Sequence, residues 1–170
     1  MNVSLGWKTT TTFLILTTLF ILLTGWLVMT EVLPIKMAMN YSEVEINFMQ
    51  FWVKVAILIG VILPGTAFLI WFYHPTARTV LGFYLIVLIV QIITEQVLSK
   101  TLFPSIVVIT GTIYTAFRLW QLWQGQQLIA ATTQLGKGNR ILLGSLLWLM
   151  LLFWLSNLIM LLVLPWSIIL

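Results

Sequence analysis

Residues 141–164 read ILLGSLLWLMLLFWLSNLIMLLVL, an apolar run without a single charged side chain. About 20 such residues in a helix cross the roughly 30 Å hydrocarbon core of a bilayer. The run stays apolar to Leu170, longer than one crossing needs, so Pro165 is expected to end the span. Residues 166–170 would then lie in the interface. That window reads as a membrane span, and the rest of the chain repeats it.

Four further apolar stretches precede it, at 9–29, 48–73, 79–98 and 102–123, separated by short polar breaks. Each is long enough to cross as a helix, and no window shows the ten-residue alternation of a membrane β-strand. Composition agrees. The chain has 170 residues, 61% hydrophobic and 7% charged, whereas soluble domains carry roughly 25% charged residues. Twelve charges could not cover a soluble surface. The expected fold is therefore an all-α polytopic membrane bundle of about five transmembrane helices, one domain over residues 1–170. The stretch after Lys8 is too long for a secretory h-region and lacks a small-x-small cleavage site, so it is read as a span.

Basic residues set the expected orientation. With the N-terminus cytoplasmic and the C-terminus outside, Lys8, Arg78, Arg118, Lys137 and Arg140 fall inside, and only Lys36 and Lys100 fall outside. The loop 30–47, with Glu31, Glu43 and Glu45, is then an external acidic loop. Residues 124–140 form a cytoplasmic loop or an interfacial helix, which Gly136 and Gly138 would terminate. Trp7, Trp71, Tyr73, Trp120 and Trp123 gather near the inner boundary; Trp26, Trp52 and Trp166 gather near the outer one. Pro64, followed by Gly65, should kink the second span by removing a backbone donor.

Much chemistry is excluded. The chain has no cysteine, no aspartate and one histidine, His74, which rules out thiol chemistry and any cysteine-based cofactor. Four glutamates and a lone imidazole make a poor transition-metal cage, so neither a metal nor another cofactor is expected. Phosphate-binding loops and HExxH motifs are absent. The net charge of +4 fits cytoplasmic loops rather than nucleic acid.

Function is sought where the membrane should reject a residue. Ionisable groups inside a span cost about 2.5–3.5 kcal/mol by insertion scales and mark functional sites by default. Lys54, Glu95 and Arg118 qualify. Arg118 lies five residues from Trp123 and is expected to snorkel to the inner headgroups. Lys54 and Glu95 fall at matched depth on consecutive, antiparallel spans and are expected to pair. Each has a glutamine one turn back on its own face, Gln50 and Gln91, and Asn157 falls in the same half of the last span. Lys54, Glu95, Gln50, Gln91 and Asn157 are thus the expected binding cluster, with Arg118, Thr115 and Tyr114 secondary to it.

The pattern suits a small carrier or channel-like protein binding a small polar or cationic solute. Its alternative is a non-catalytic subunit or assembly factor acting through lateral helix contacts. Partners would then be the bilayer, other membrane subunits or a second copy of the chain. An intramembrane lipid-modifying enzyme with Glu95 as base ranks last, because no second catalytic group accompanies it.

Overall fold

The computed structural model describes residues 6–133 and 135–169, which leaves outside it residues 1–5 and 170 of the expected domain and residue 134 of the expected loop. The described chain is a bundle of helices: α1 (Trp7–Met29), α2 (Glu43–Ile57), a π-helical segment (Leu58–Ile62), α3 (Leu63–Ile70), α4 (Pro75–Thr101), α5 (Ile106–Ala131), α6 (Lys137–Val163) and α7 (Pro165–Ile169). No strand occurs among the described residues. A helix satisfies its own backbone donors and acceptors, which lipid cannot do, so long apolar runs have no other stable choice. Four of these helices, counting Glu43–Ile70 as one, are long and apolar enough to cross a membrane.

The expected fourth span differs from the rest. Helix α5 is as long as its neighbours but carries Arg118, Gln121, Gln124, Gln126 and Gln127, and it does not reach the apolar standard of the other four. It buries more residues than any other helix and packs chiefly against α4 and α6, with α1 also in contact. This glutamine-rich helix is shielded by the apolar ones. Its glutamines reach neighbouring backbones: Gln121 Nε2 donates to the Phe83 carbonyl at 3.4 Å and Gln126 Nε2 to that of Gly144 at 2.8 Å.

Helix α5 also runs on to Ala131, and α6 starts at Lys137. Of the segment 124–140, expected as a loop or an interfacial helix, residues 124–131 and 137–140 are helical. Gln124 and Gln126 there are half-buried, and Gln127 is exposed.

The segment between α1 and α2 is tied down rather than free. Lys36 donates its backbone N–H to Ile169 O at 2.8 Å and its Nζ to Ile168 O at 3.2 Å, satisfying the end of α7. Ser105 Oγ donates to Lys36 O at 2.6 Å, and Trp166 Nε1 donates to Thr112 Oγ1 at 2.9 Å. Helix α2 then starts on a capping box, with Glu45 N donating to Ser42 Oγ and Ser42 N donating to Glu45 Oε2.

Pro64 does not break the second span. The chain passes from α2 through the π-helical segment into α3 without leaving helical geometry. Pro64 has no N–H for the carbonyl four residues back, that of Gly60, and the Tyr84 hydroxyl of α4 donates to it at 2.9 Å. Trp154 Nε1 of α6 donates in turn to the Tyr84 oxygen at 2.9 Å. Gly60 is needed here, since a Cβ on it would sit 2.8 Å from Trp154 Cζ2. One proline-freed carbonyl thus knits three helices.

The Tyr84→Phe variant should lose about 1–3 kcal/mol, because it leaves a buried carbonyl and a buried indole N–H without partners. Thermal melting in mild detergent measures this, and Pro64→Ala in the same background should recover part by restoring a backbone donor. An unchanged melt for the single variant, or no recovery in the double, contradicts the assignment.

Candidate functional site

Below the π-helical segment, α3 packs against α4; above it, α2 buries none of its residues. Over its α2 half the span packs on the bundle through Trp52, Val55 and Ala56, with the Trp52 and Phe153 ring centres 5.4 Å apart, and beside these contacts lies a cavity of about 410 Å³ between α2, α4, α5 and α6. The wall from α2 and the π-helical segment is apolar, with Met49, Trp52, Val53, Ala56 and Ile57 from α2 and Val61 from the π-helical turn. The facing wall carries Gln91 and Glu95 from α4, Thr115 from α5 and Asn157 from α6. Met39 and Tyr41 close one end, where partial burial, and after it the nearby Glu45, pushes the Tyr41 phenol above its ordinary pKa.

Arg118 stands behind the polar wall and is completely buried, 0% exposed. This overturns the snorkelling expected of it, for the side chain lies among α4 and α6 and not toward headgroups. Its guanidinium carbon is 3.9 Å from the centre of the Trp154 ring and 5.5 Å from that of Tyr84. A desolvated cation over an indole face gains about 2 kcal/mol or more. Arg118 Nη2 donates to Gln91 Oε1, while Nε and Nη1 are buried without a hydrogen-bond partner among the described residues.

Gln91 then passes the polarity on. Its Nε2 donates to Glu95 Oε1 at 2.7 Å, one turn along α4. An amide suits this place because it offers an acceptor to the cation and a donor to the anion. The half-buried Glu95 carboxylate lines the cavity, and Gly111 leaves room for it: a Cβ there would meet Glu95 Oε1 at 3.6 Å. Asn157 Oδ1 accepts from Trp52 Nε1 at 2.8 Å, and its Nδ2 donates to Thr115 Oγ1 at 3.4 Å. The Trp52 bond is a polar tie from α2 to the opposite wall.

Lys54 does not pair with Glu95. Both Lys54 and Gln50 are exposed and stand outside the cavity lining, one residue beyond the Met49 and Val53 positions that face it. One residue is about 100° of helix rotation, enough to turn them to the outer surface of α2. Lys54 lies 16 residues from Ile70, roughly 24 Å along the helix, and its long stem can carry the ammonium to headgroups at the far boundary. The partner of Glu95 is Arg118, through Gln91. Tyr114 also lies elsewhere, buried toward α1, where the Phe13 ring meets it edge-on at 5.5 Å between centres.

Of the expected cluster, the structure brings together Gln91, Glu95 and Asn157, adds Thr115 and Arg118 from the secondary set, and leaves out Lys54 and Gln50 together with the secondary Tyr114. Trp52, Tyr84 and Trp154 were not singled out as site residues. Their signal was present: Tyr84, Gln91 and Glu95 share one face of α4 at spacings of seven and four, and Trp154 lies one turn before Asn157.

Gln91→Leu should cost about 3 kcal/mol or more, because it removes the bridge and leaves a buried donor of Arg118 and an acceptor of Glu95 unmatched. Reversible unfolding in detergent reads the loss. A Gln91→Leu protein as stable as wild type would show that the bridge carries nothing. No protein-family model, curated protein or solved structure matches the chain.

Proposed function

We propose that this multi-pass protein binds a small polar solute in the cavity between α2 and the α4–α6 wall, with Glu95, Gln91, Asn157 and Thr115 as its recognising groups. The supporting observation is a carboxylate half-buried against a cavity of about 410 Å³ among apolar spans. That volume falls in the range of about 300–1,000 Å³ typical of ligand pockets, and a few convergent polar groups in an apolar pocket are their usual make-up. An ionisable group at such a place is costly unless it is used.

A carrier or channel-like role extends this reading, in the orientation expected from the basic residues, with the N-terminus inside. Carriers commonly build their sites beside interrupted helices. The π-helical segment interrupts the second span next to the cavity, and α2 above it is held to the opposite wall by the Trp52–Asn157 bond. Breaking that bond and the stack of Trp52 on Phe153 would let α2 move without disturbing the packed α3 half.

Arg118 narrows the solute. It already supplies one positive charge to the carboxylate, so Glu95 and Arg118 together are neutral. Adding a full cation would place a net charge in a low-dielectric site, at a cost of several kcal/mol. Uncharged hydrogen-bonding solutes are favoured over small ammonium ions.

Thermal stability of the purified protein should rise with short polyols or amides more than with small ammonium ions. At a concentration near 100 times Kd the gain is about 2.7 kcal/mol, several degrees in melting temperature. Glu95→Leu should abolish the shift. No shift from any solute, or a shift that survives Glu95→Leu, overturns the proposal.

A further inference from the structure

The polar groups of the cavity gather on its α4–α6 wall, which also carries Leu88, Ile92, Val107 and Leu161. The α2 wall offers side chains of hydrocarbon and aromatic character, and the indole N–H of Trp52 is already taken by Asn157. The α4–α6 wall offers a carboxylate, two amides and a hydroxyl. A wholly polar solute would leave the α2 wall facing it unmatched, and a plain hydrocarbon would leave the Glu95 carboxylate without a partner on that side. The complementary molecule is amphiphilic.

Three observations define it further. The volume, about 410 Å³, sits at the small end of ligand pockets, which suits one chain rather than two. Arg118 neutralises Glu95 through Gln91, so an added ammonium leaves a net positive charge and an added carboxylate or phosphate faces Glu95 directly. Helix α2 buries none of its residues, so its flanks are open to the bilayer and a lipid can enter beside it without passing through water.

We infer that the cavity takes an uncharged single-chain lipid with hydroxyl groups on its head, a monoacylglycerol being the simplest example. This rests on the reading of the cavity as a ligand site and names the class of ligand. The chain lies against Trp52, Ala56 and Val61. The head hydroxyls donate to Glu95 and exchange hydrogen bonds with Asn157 and Thr115. Gly111 keeps the space beside Glu95 open, since any side chain beyond a methyl group would enter it.

The test uses the full chain in phosphatidylcholine nanodiscs containing a monoacylglycerol with a photoactivatable group in its chain. Crosslinks mapped by mass spectrometry should concentrate on Trp52, Ala56 and Leu161. Excess unlabelled monoacylglycerol should suppress them about tenfold or more, a competition that bulk lipid lining a helix surface would not show. Dodecylammonium and laurate at the same excess should leave most of the labelling in place. Gly111→Leu should abolish the competed labelling, and the competition in wild-type protein stands even if that variant folds poorly.

Equal suppression by dodecylammonium overturns the uncharged head. Labelling that no competitor reduces overturns the lipid assignment. In that second case, a Glu95-dependent thermal shift with water-soluble polyols leaves the polar binding site intact, and its absence removes both readings.

Discussion

A guanidinium inside a membrane bundle must find an anion, an aromatic face or water, and Arg118 is buried beyond the reach of headgroups. Much of the arrangement follows from that requirement. Helix α5 carries the charge and is the least lipid-like of the long helices, so it takes the most enclosed position while the apolar helices face outward. Gln91 presents its carbonyl to the cation and its amide to Glu95, bringing α4 against α5 at that level. Trp154 of α6 covers the remaining face of the guanidinium. Close approach is helped at Gly111, beside Glu95, and at Gly125, where a Cβ would lie 2.6 Å from Val80 Cγ1.

A second constraint joins the first at Trp154. Pro64 deprives the Gly60 carbonyl of its usual donor, Tyr84 supplies one, and Trp154 completes the bond to Tyr84 with the same indole that stacks on Arg118. The interrupted span and the buried charge are thereby fixed to the same side chains. Beyond the interruption, α2 forms an apolar wall of the cavity and touches the bundle through Trp52, stacked on Phe153 and bonded across to Asn157. The cavity is a consequence of how these two local problems are solved together.

The helical membrane class and most of the spans were legible in the sequence, because hydropathy over 20 residues is a property of the chain itself. So was the polar face of α4, since Gln91 and Glu95 are one turn apart whatever they pack against. The environments of Lys54 and Arg118 were not legible: Lys54 is exposed and Arg118 buried. Counting residues gives the depth of a side chain in a span, but its direction around the helix depends on which neighbour packs there. Lys54 lies about 100° from the line of α2 that faces the bundle, and an exposed lysine can stretch to headgroups. Arg118 lies on the face of α5 that α4 and α6 cover. At the far end of α5, within the segment expected as a loop or an interfacial helix, residues 124–131 continue the helix and Gln126 bonds to the Gly144 backbone.

The most direct measurement is a double-mutant cycle on unfolding free energy with Arg118→Met and Glu95→Gln. Removing either group leaves its partner inadequately compensated, so Arg118→Met alone should cost about 3 kcal/mol or more. Removing both should recover a substantial part, with a coupling of at least about 1 kcal/mol although the two side chains communicate through Gln91. Losses that simply add would contradict the account, since Arg118 and Glu95 would then be independent and the cavity would not hold a neutralised carboxylate.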